Sequence, residues 1–242
     1  MKEVLTRNKE INNAQMIKYI EIFLYQYIDY ITQSKLQELK ALCRQDSLSQ
    51  IFAKVCNDYD DENLVTSNTL FEDFVNVDKE SEFKKYRSLF FHRLIHYLGC
   101  YGGSPLKEGI IEYLIDKVDE KDENDMCFYP KEKEIVKELA MALDDDTINK
   151  IAFIKEDKHV LEYLYENEGI DIANLYLKVS YLMEEEFYKK YSSKNKNSNS
   201  FSEVLKKKVN YKRIDYSAVY ETIEKYIEEN KKKNENLVRV KK

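Results

Sequence analysis

The sequence predicts an all-α protein with a multi-helix, bundle-like body, and three observations support this class. Only 5 Gly and 2 Pro occur in 242 residues, far fewer than the turns of a sandwich or barrel would use. Apolar residues recur at three- and four-residue intervals in most segments, which is the spacing of one helix face. The chain is also long enough to bury a hydrophobic core without disulfides or metal.

The first part of the chain contains three predicted helices. The first carries an apolar stripe with helical spacing, made of Ile17, Ile20, Leu24, Ile28 and Ile31, with Phe23 and Tyr27 widening it. The second spans Leu36 to Cys56, and a weaker helix covers residues 70–75. The acidic runs 57–63 and 119–125 lack the glycine and the closing glutamate of a calcium-binding loop, so both are predicted to be connectors.

A central stretch, Glu82 to Pro105, combines two of the three histidines with three of the five glycines. We expect a helix there that ends at Gly99. A new helix is predicted to begin at Pro105 with Ser104 as its N-cap, because proline is favoured in the first helical position and serine just before it. The predicted buried face of this helix consists of Leu106, Ile110, Ile111, Leu114 and Ile115.

Further helices are predicted through the second half of the chain. One begins at Pro130. The next three cover residues 148–154, His159 to Glu166 and Ile170 to Tyr191. The triple aspartate at 144–146 is expected to stabilise a helix N-terminus, where acidic side chains are favoured, rather than to bind a metal-diphosphate. Glu156 and His159 form a single ExxH pair, whereas a di-iron bundle needs two such pairs and further carboxylates.

The chain divides by charge into two parts. Residues 191–242 hold 14 Lys and Arg against 7 Asp and Glu, a net charge of +7, while the remainder carries −13. The polar, low-complexity segment 192–202 is typical of a flexible linker. We therefore predict an acidic helical body over 1–191, a linker over 192–202, and a basic helical appendage with a mobile tail over 203–242.

Within the appendage, one face of a short predicted helix consists of Tyr216, Val219, Ile223, Tyr226 and Ile227. A helix of this length is marginal alone in water, so we expect it to bury that face against another surface. The tail after Asn230 is predicted to be mobile.

Cysteine usage and hydropathy predict a cytoplasmic protein. The four cysteines are far apart and form no CxxC pair, so reduced thiols are expected. The first residues, MKEVLTRNKEINN, lack the apolar segment of a signal peptide. The most apolar run, Met16 to Ile31, contains Lys18, Glu21 and Asp29, which a bilayer core would penalise, and no membrane span is predicted.

Arg87 and His92 are separated by the four residues Ser-Leu-Phe-Phe. This spacing resembles the RxxxxH motif of the HEPN superfamily, small helical bundles that often dimerise and act as metal-independent ribonucleases. The resemblance covers these six residues and the general helical class. It implies that His92 is the acid/base group for attack of a ribose 2′-hydroxyl on the adjacent phosphate and that Arg87 stabilises the phosphorane charge. Ser88 takes the place of the polar residue that often follows the arginine.

His92, His96 and Cys100 also support a metal interpretation. Their spacing of four residues places them near one face of a helix, and they are zinc-ligand types. A structural interpretation is open as well, because the helix dipole favours a protonated imidazole near a helix C-terminus. From the sequence we predict that the protein binds no cofactor and no metal.

Two functions from different classes follow from these patterns. The first is a helical protein-interaction subunit or regulator without catalytic activity, supported by 20 Tyr, by segregated charge and by the lack of nucleotide-binding or hydrolase motifs. The alternative is a HEPN-like ribonuclease of the toxin or antiviral-defence kind that uses Arg87, Ser88 and His92 in a homodimer. Mimicry of nucleic acid by the acidic body is a third interpretation. The expected partners are another protein or a second copy, with RNA under the alternative, and no membrane.

Overall fold

The structure is a computed structural model that describes residues 14, 17–18, 20–45, 80–99, 104–118, 127–191 and 214–240. The description is limited to the backbone at 42–45, 80–87, 89, 190–191 and 234–240. This described part is 87% helical and contains no strand, which confirms the predicted all-α class.

Residues 20–27 form α1, and a 3-10 turn follows at Ile28–Tyr30. The longer helices that come after it are α2 (Gln33–Gln45), α3 (Glu80–Leu98), α4 (Pro105–Val118), α5 (Pro130–Leu143), α6 (Asp145–Ala152), α7 (Asp157–Asn167), α8 (Ile170–Tyr191) and α9 (Ser217–Val240). Among the described residues, none of these helices combines the length and the apolar content needed to cross a bilayer.

The chain forms two compact units that alternate along the sequence. The first comprises Met1–Tyr101 and Leu114–Phe128, and the second comprises Gly102–Tyr113 and Tyr129–Lys242. The boundary therefore falls inside α4. The predicted division into body, linker and appendage stays a prediction, since the linker 192–202 lies outside the described residues.

In the first unit, most of the predicted apolar stripe is buried, including Ile20 and Ile31, but two of its isoleucines are not. Ile17 and Ile28 are 48% and 41% exposed, whereas Phe23 and Tyr27 are completely buried. The two aromatic rings remove more apolar surface from water than the isoleucines would. Tyr27 also satisfies its hydroxyl group, which donates a hydrogen bond to the carbonyl oxygen of Leu114 at 3.1 Å.

The helices α2 and α3 complete the described core of the first unit. Leu36 and Leu39 of α2 are buried as predicted, while the predicted continuation to Cys56 lies outside the described residues. The ammonium group of Lys35 sits 4.5 Å from the centre of the Tyr97 ring, a cation–π contact between α2 and α3. The weak helix predicted over 70–75 also lies outside the described residues.

The second unit contains the start of α4, which is enclosed rather than one-sided. Every residue from Ser104 to Tyr113 is buried, including Lys107, Glu108 and Glu112. The predicted N-cap is confirmed, because Ser104 Oγ accepts a hydrogen bond from the Lys107 N–H at 3.3 Å. The single buried face that the apolar spacing predicts therefore underestimates how much of this helix is covered by the rest of the unit.

The remaining helices of the second unit pack in series. The contacts join α5 to α6 and α9, and α8 to α7 and α9. Tyr216, Val219 and Ile223 are buried, so the helix predicted in the appendage does find a surface. It is longer than predicted, since α9 continues past Asn230 to Val240. The extra residues include three lysines and an arginine and contain no Gly or Pro, which favours helix.

Candidate functional site

The predicted ribonuclease residues belong to α3. Ser88 and His92 lie one turn apart and are only 3% and 6% exposed. Arg87 is part of the same helix, but its side chain lies outside the described residues. A general acid or base must come within hydrogen-bonding distance of its substrate, and His92 offers little surface for that contact. The catalytic role of these three residues stays a prediction.

His92 is paired with His96, one turn further along α3. Their Nε2 atoms are 3.0 Å apart, and the two ring centroids are 4.8 Å apart with the planes at 69°. In such a contact one Nε2 donates an N–H and the other accepts it, so the neutral pair holds one proton between its rings. The ring of Phe128 also contacts His92, with the two ring centroids 5.6 Å apart.

The burial of this pair follows from the composition of α3. From Phe90 to Leu98 the helix is buried at every residue except Arg93, which is half-buried. Phe91 also contacts Phe23 of α1, with ring centroids 6.0 Å apart. Because apolar side chains surround the helix here, the imidazole nitrogens must find their partners inside the protein.

The helix ends where the sequence predicts. Gly99 has a φ of 142°, a backbone conformation that residues other than glycine rarely adopt. Its N–H donates a hydrogen bond to the His96 carbonyl oxygen at 3.3 Å. His96 is therefore in the last turn of α3. Cys100, the third predicted zinc ligand, lies outside the described residues.

A buried carboxyl group in the second unit has no counterpart in the sequence analysis. Glu132, in the first turn of α5, is 0% exposed, and the Tyr216 hydroxyl group donates a hydrogen bond to its Oε1 at 2.7 Å. The pKa of Glu132 is raised to about 7, chiefly by burial and to a smaller extent by the neighbouring Glu108, against the lowering effects of the bond from Tyr216 and the charge of Lys131.

The same region shows a close approach of α4 to α5. A β-carbon at Gly109 would lie 2.6 Å from the carbonyl oxygen of Glu132, so no larger residue fits there without movement. Lys107, two residues earlier, is buried and places its Nζ 2.9 Å from Asp157 Oδ1 and 3.2 Å from the Lys155 carbonyl oxygen. The sequence signal for this packing is a glycine in a helix interior, where it is otherwise unfavourable.

The triple aspartate has the predicted structural role. Asp144 is the N-cap of α6, and its Oδ1 accepts a hydrogen bond from the Thr147 N–H at 2.8 Å. Asp146 pairs with Lys150 one turn later, at 2.6 Å. Glu156 and His159 are both exposed, with Oε2 and Nδ1 4.0 Å apart, which is a surface contact.

An exposed apolar line runs along α8. Ile170, Leu177 and Tyr181 are 57%, 51% and 63% exposed. At 3.6 residues per turn, their spacing of seven and four residues keeps them within about 20° of one line over about 16 Å. The opposite face, with Leu175 and Val179, is buried as predicted. The sequence signal for the exposed line was a second set of apolar residues outside the predicted inward face.

Comparison with known proteins adds no assignment. No protein-family model matches the chain, and no significant match was found among curated proteins or solved structures.

Proposed function

We propose that this chain is a helical protein-interaction subunit, without catalytic chemistry of its own, that acts in the cytoplasm and assembles with a second copy of itself through α8. The proposal rests on the exposed apolar line formed by Ile170, Leu177 and Tyr181. Large apolar side chains in a row on one helix face gain free energy when a partner covers them, at about 25 cal/mol for each Å² of apolar surface removed from water.

The charges at the two ends of the line support a second copy as the partner. Near its start, Lys233 Nζ lies 3.2 Å from Asp171 Oδ2, which brings the exposed lysines 231–233 beside the first turn of α8. Near its end, three glutamates at 184–186 outnumber two lysines at 189 and 190, and Lys189 pairs with Glu185 at 2.8 Å. One end is therefore basic and the other acidic.

An antiparallel pair of α8 helices would use both features at once. Two-fold symmetry places the basic end of each copy against the acidic end of the other, with the apolar lines facing each other between them. A parallel pair would place like charges together. The charge pattern thus favours an antiparallel homodimer over an arbitrary partner.

The test is sedimentation equilibrium of the full chain over about 1 to 100 µM, a range suited to an interface of this small size. We compare the wild type with Leu177→Glu and with the matched control Met141→Glu, since Met141 is 69% exposed on α5. We expect the wild type and the control to dimerise with rising concentration and Leu177→Glu to remain monomeric.

Two results would contradict the proposal. The first is a wild-type chain that stays monomeric throughout the concentration range. The second is a Leu177→Glu chain that dimerises like the wild type. If the wild-type monomer instead bound an unrelated purified protein through Leu177, that protein and not a second copy would be the occupant of α8.

A further inference from the structure

We propose that His92 and His96 form a binding site for a divalent transition-metal ion of the copper, nickel and zinc class. Both side chains are buried, at 6% and 5% exposure, and their Nε2 atoms are 3.0 Å apart. Neutral imidazole nitrogens are the preferred ligands of these ions. The inference uses α3 and the neighbouring Phe128, and it does not depend on the proposed contact through α8.

The spacing of the two nitrogens fits coordination to one ion. With metal–nitrogen bonds of about 2.0–2.1 Å, nitrogens 3.0 Å apart subtend an angle of about 94° at the metal. That angle is close to the 90° between neighbouring ligands in square-planar or octahedral coordination. The geometry therefore suits Cu²⁺ and Ni²⁺ best, while tetrahedral Zn²⁺ requires the rings to separate slightly.

The helix holds the ligands in place before a metal arrives. Side chains four residues apart are neighbours on a helix surface, so the two rings meet without any loop having to order. The contact of Phe128 with His92, at 5.6 Å between ring centroids, restricts that ring further. Little conformational entropy is then lost on binding, which favours affinity.

The metal would displace the shared proton and lie beside the line that joins the two Nε2 atoms, because a metal–nitrogen bond of about 2.0–2.1 Å is longer than half of the 3.0 Å between them. In the neutral pair, one Nε2–H points at the other Nε2. Moving that proton to Nδ1 of its own ring frees both Nε2 lone pairs, and a small rotation of the two rings then directs them at the ion. Acid competes with this arrangement because a protonated imidazole cannot bind a metal, so affinity must fall as the pH is lowered.

The test measures Ni²⁺ and Cu²⁺ binding by the full chain, using competition with a chromophoric chelator at about pH 7.5. The variants are His92→Gln and His96→Gln, which keep a polar side chain, and the matched control is His159→Gln on α7. His159 is the remaining histidine of the chain and its side chain is 54% exposed. We expect either substitution on α3 to weaken binding at least about 10-fold and the control to bind like the wild type.

A wild-type chain that binds neither ion at about 100 µM would overturn the proposal, as would wild-type affinity in both α3 variants. Far-UV circular dichroism establishes that each variant is folded. If the α3 variants do not fold, the electron paramagnetic resonance spectrum of the Cu²⁺-loaded wild type decides the question. Hyperfine structure from two imidazole nitrogens is expected, and a spectrum without it would contradict the site.

Discussion

Glu132 is a buried acidic residue whose raised pKa makes the stability of the second unit depend on pH. It is completely buried, and its carboxyl group accepts a hydrogen bond from the Tyr216 hydroxyl group at 2.7 Å. Burial raises its pKa from 4.5 to about 7. Between these values the folded chain binds a proton that the unfolded chain releases. The free energy of unfolding contributed by this residue therefore falls as the pH rises from about 4.5 to about 7, and stays low above that range.

We predict that Glu132→Gln removes this pH dependence, because the amide cannot ionise and its oxygen still accepts the bond from Tyr216. The variant should resemble the wild type near pH 5 and be more stable near pH 8 by about 3 kcal/mol. Urea unfolding followed by circular dichroism at both pH values measures the difference. The control is Glu134→Gln, an exposed position on the same helix, and it should follow the wild type. Equal pH dependence in Glu132→Gln and the wild type would contradict the account.

Some residue-level features could be predicted from the sequence because they depend on neighbours in the chain. The Ser104 cap, the helix stop at Gly99 and the proximity of His92 to His96 all follow from spacing on a single helix. The burial of Glu132 depends on contacts with α4 and with Tyr216, which lies far along the chain. Local patterns carry no information about such contacts.

Among the elements, α6 is the one whose start is under strain. Its N-cap, Asp144, has φ 65° and ψ 165°, a region that essentially only glycine occupies at low cost. The aspartate offsets part of that cost through its hydrogen bond to the Thr147 N–H at 2.8 Å. The backbone conformation and the cap thus favour different residues at this position.

Two substitutions at Asp144 are predicted to have opposite effects. Asp144→Ala loses the cap and keeps the strain, so the free energy of unfolding should fall by about 1 kcal/mol. Asp144→Gly relieves strain of about 1–3 kcal/mol, and glycine is nearly as good a cap as aspartate, so this variant should be at least as stable as the wild type. Thermal unfolding measures the order. An alanine variant as stable as the glycine variant would contradict the strained N-cap.

The elements themselves were largely predictable, and their faces were less so. Helix starts at Pro105 and Pro130 follow from proline chemistry and are confirmed. In and around α1, the predicted stripe is buried at Ile20, Phe23 and Tyr27, but Ile17 and Ile28 at its edge are exposed. Periodicity identifies the helix and the centre of its buried stripe, whereas the extent of burial toward the edges depends on the surface that the helix meets.

For the whole molecule, the all-α class was predictable from composition, but the two units were not. Residues 102–113 belong with 129–242, so the first nine residues of α4 join helices that come later in the chain. Such a grouping arises from contacts between distant segments. The charge asymmetry of the sequence is more informative at this scale, because α9 places lysine 233 beside α8 and so gives the exposed apolar line a basic end.

The central claim is antiparallel self-association through α8, and a charge-swap experiment tests it most directly. One variant carries Lys232→Glu and Lys233→Glu at the basic end, and the other carries Glu185→Lys and Glu186→Lys at the acidic end. Each alone places like charges together at both ends of an antiparallel pair, so each should be monomeric at concentrations where the wild type dimerises. Mixed, they restore opposite charges at both ends and should form a heterodimer, which sedimentation of a fluorescently labelled variant detects. A mixture that remains monomeric beside a dimeric wild type, or single variants that dimerise like the wild type, would contradict the account.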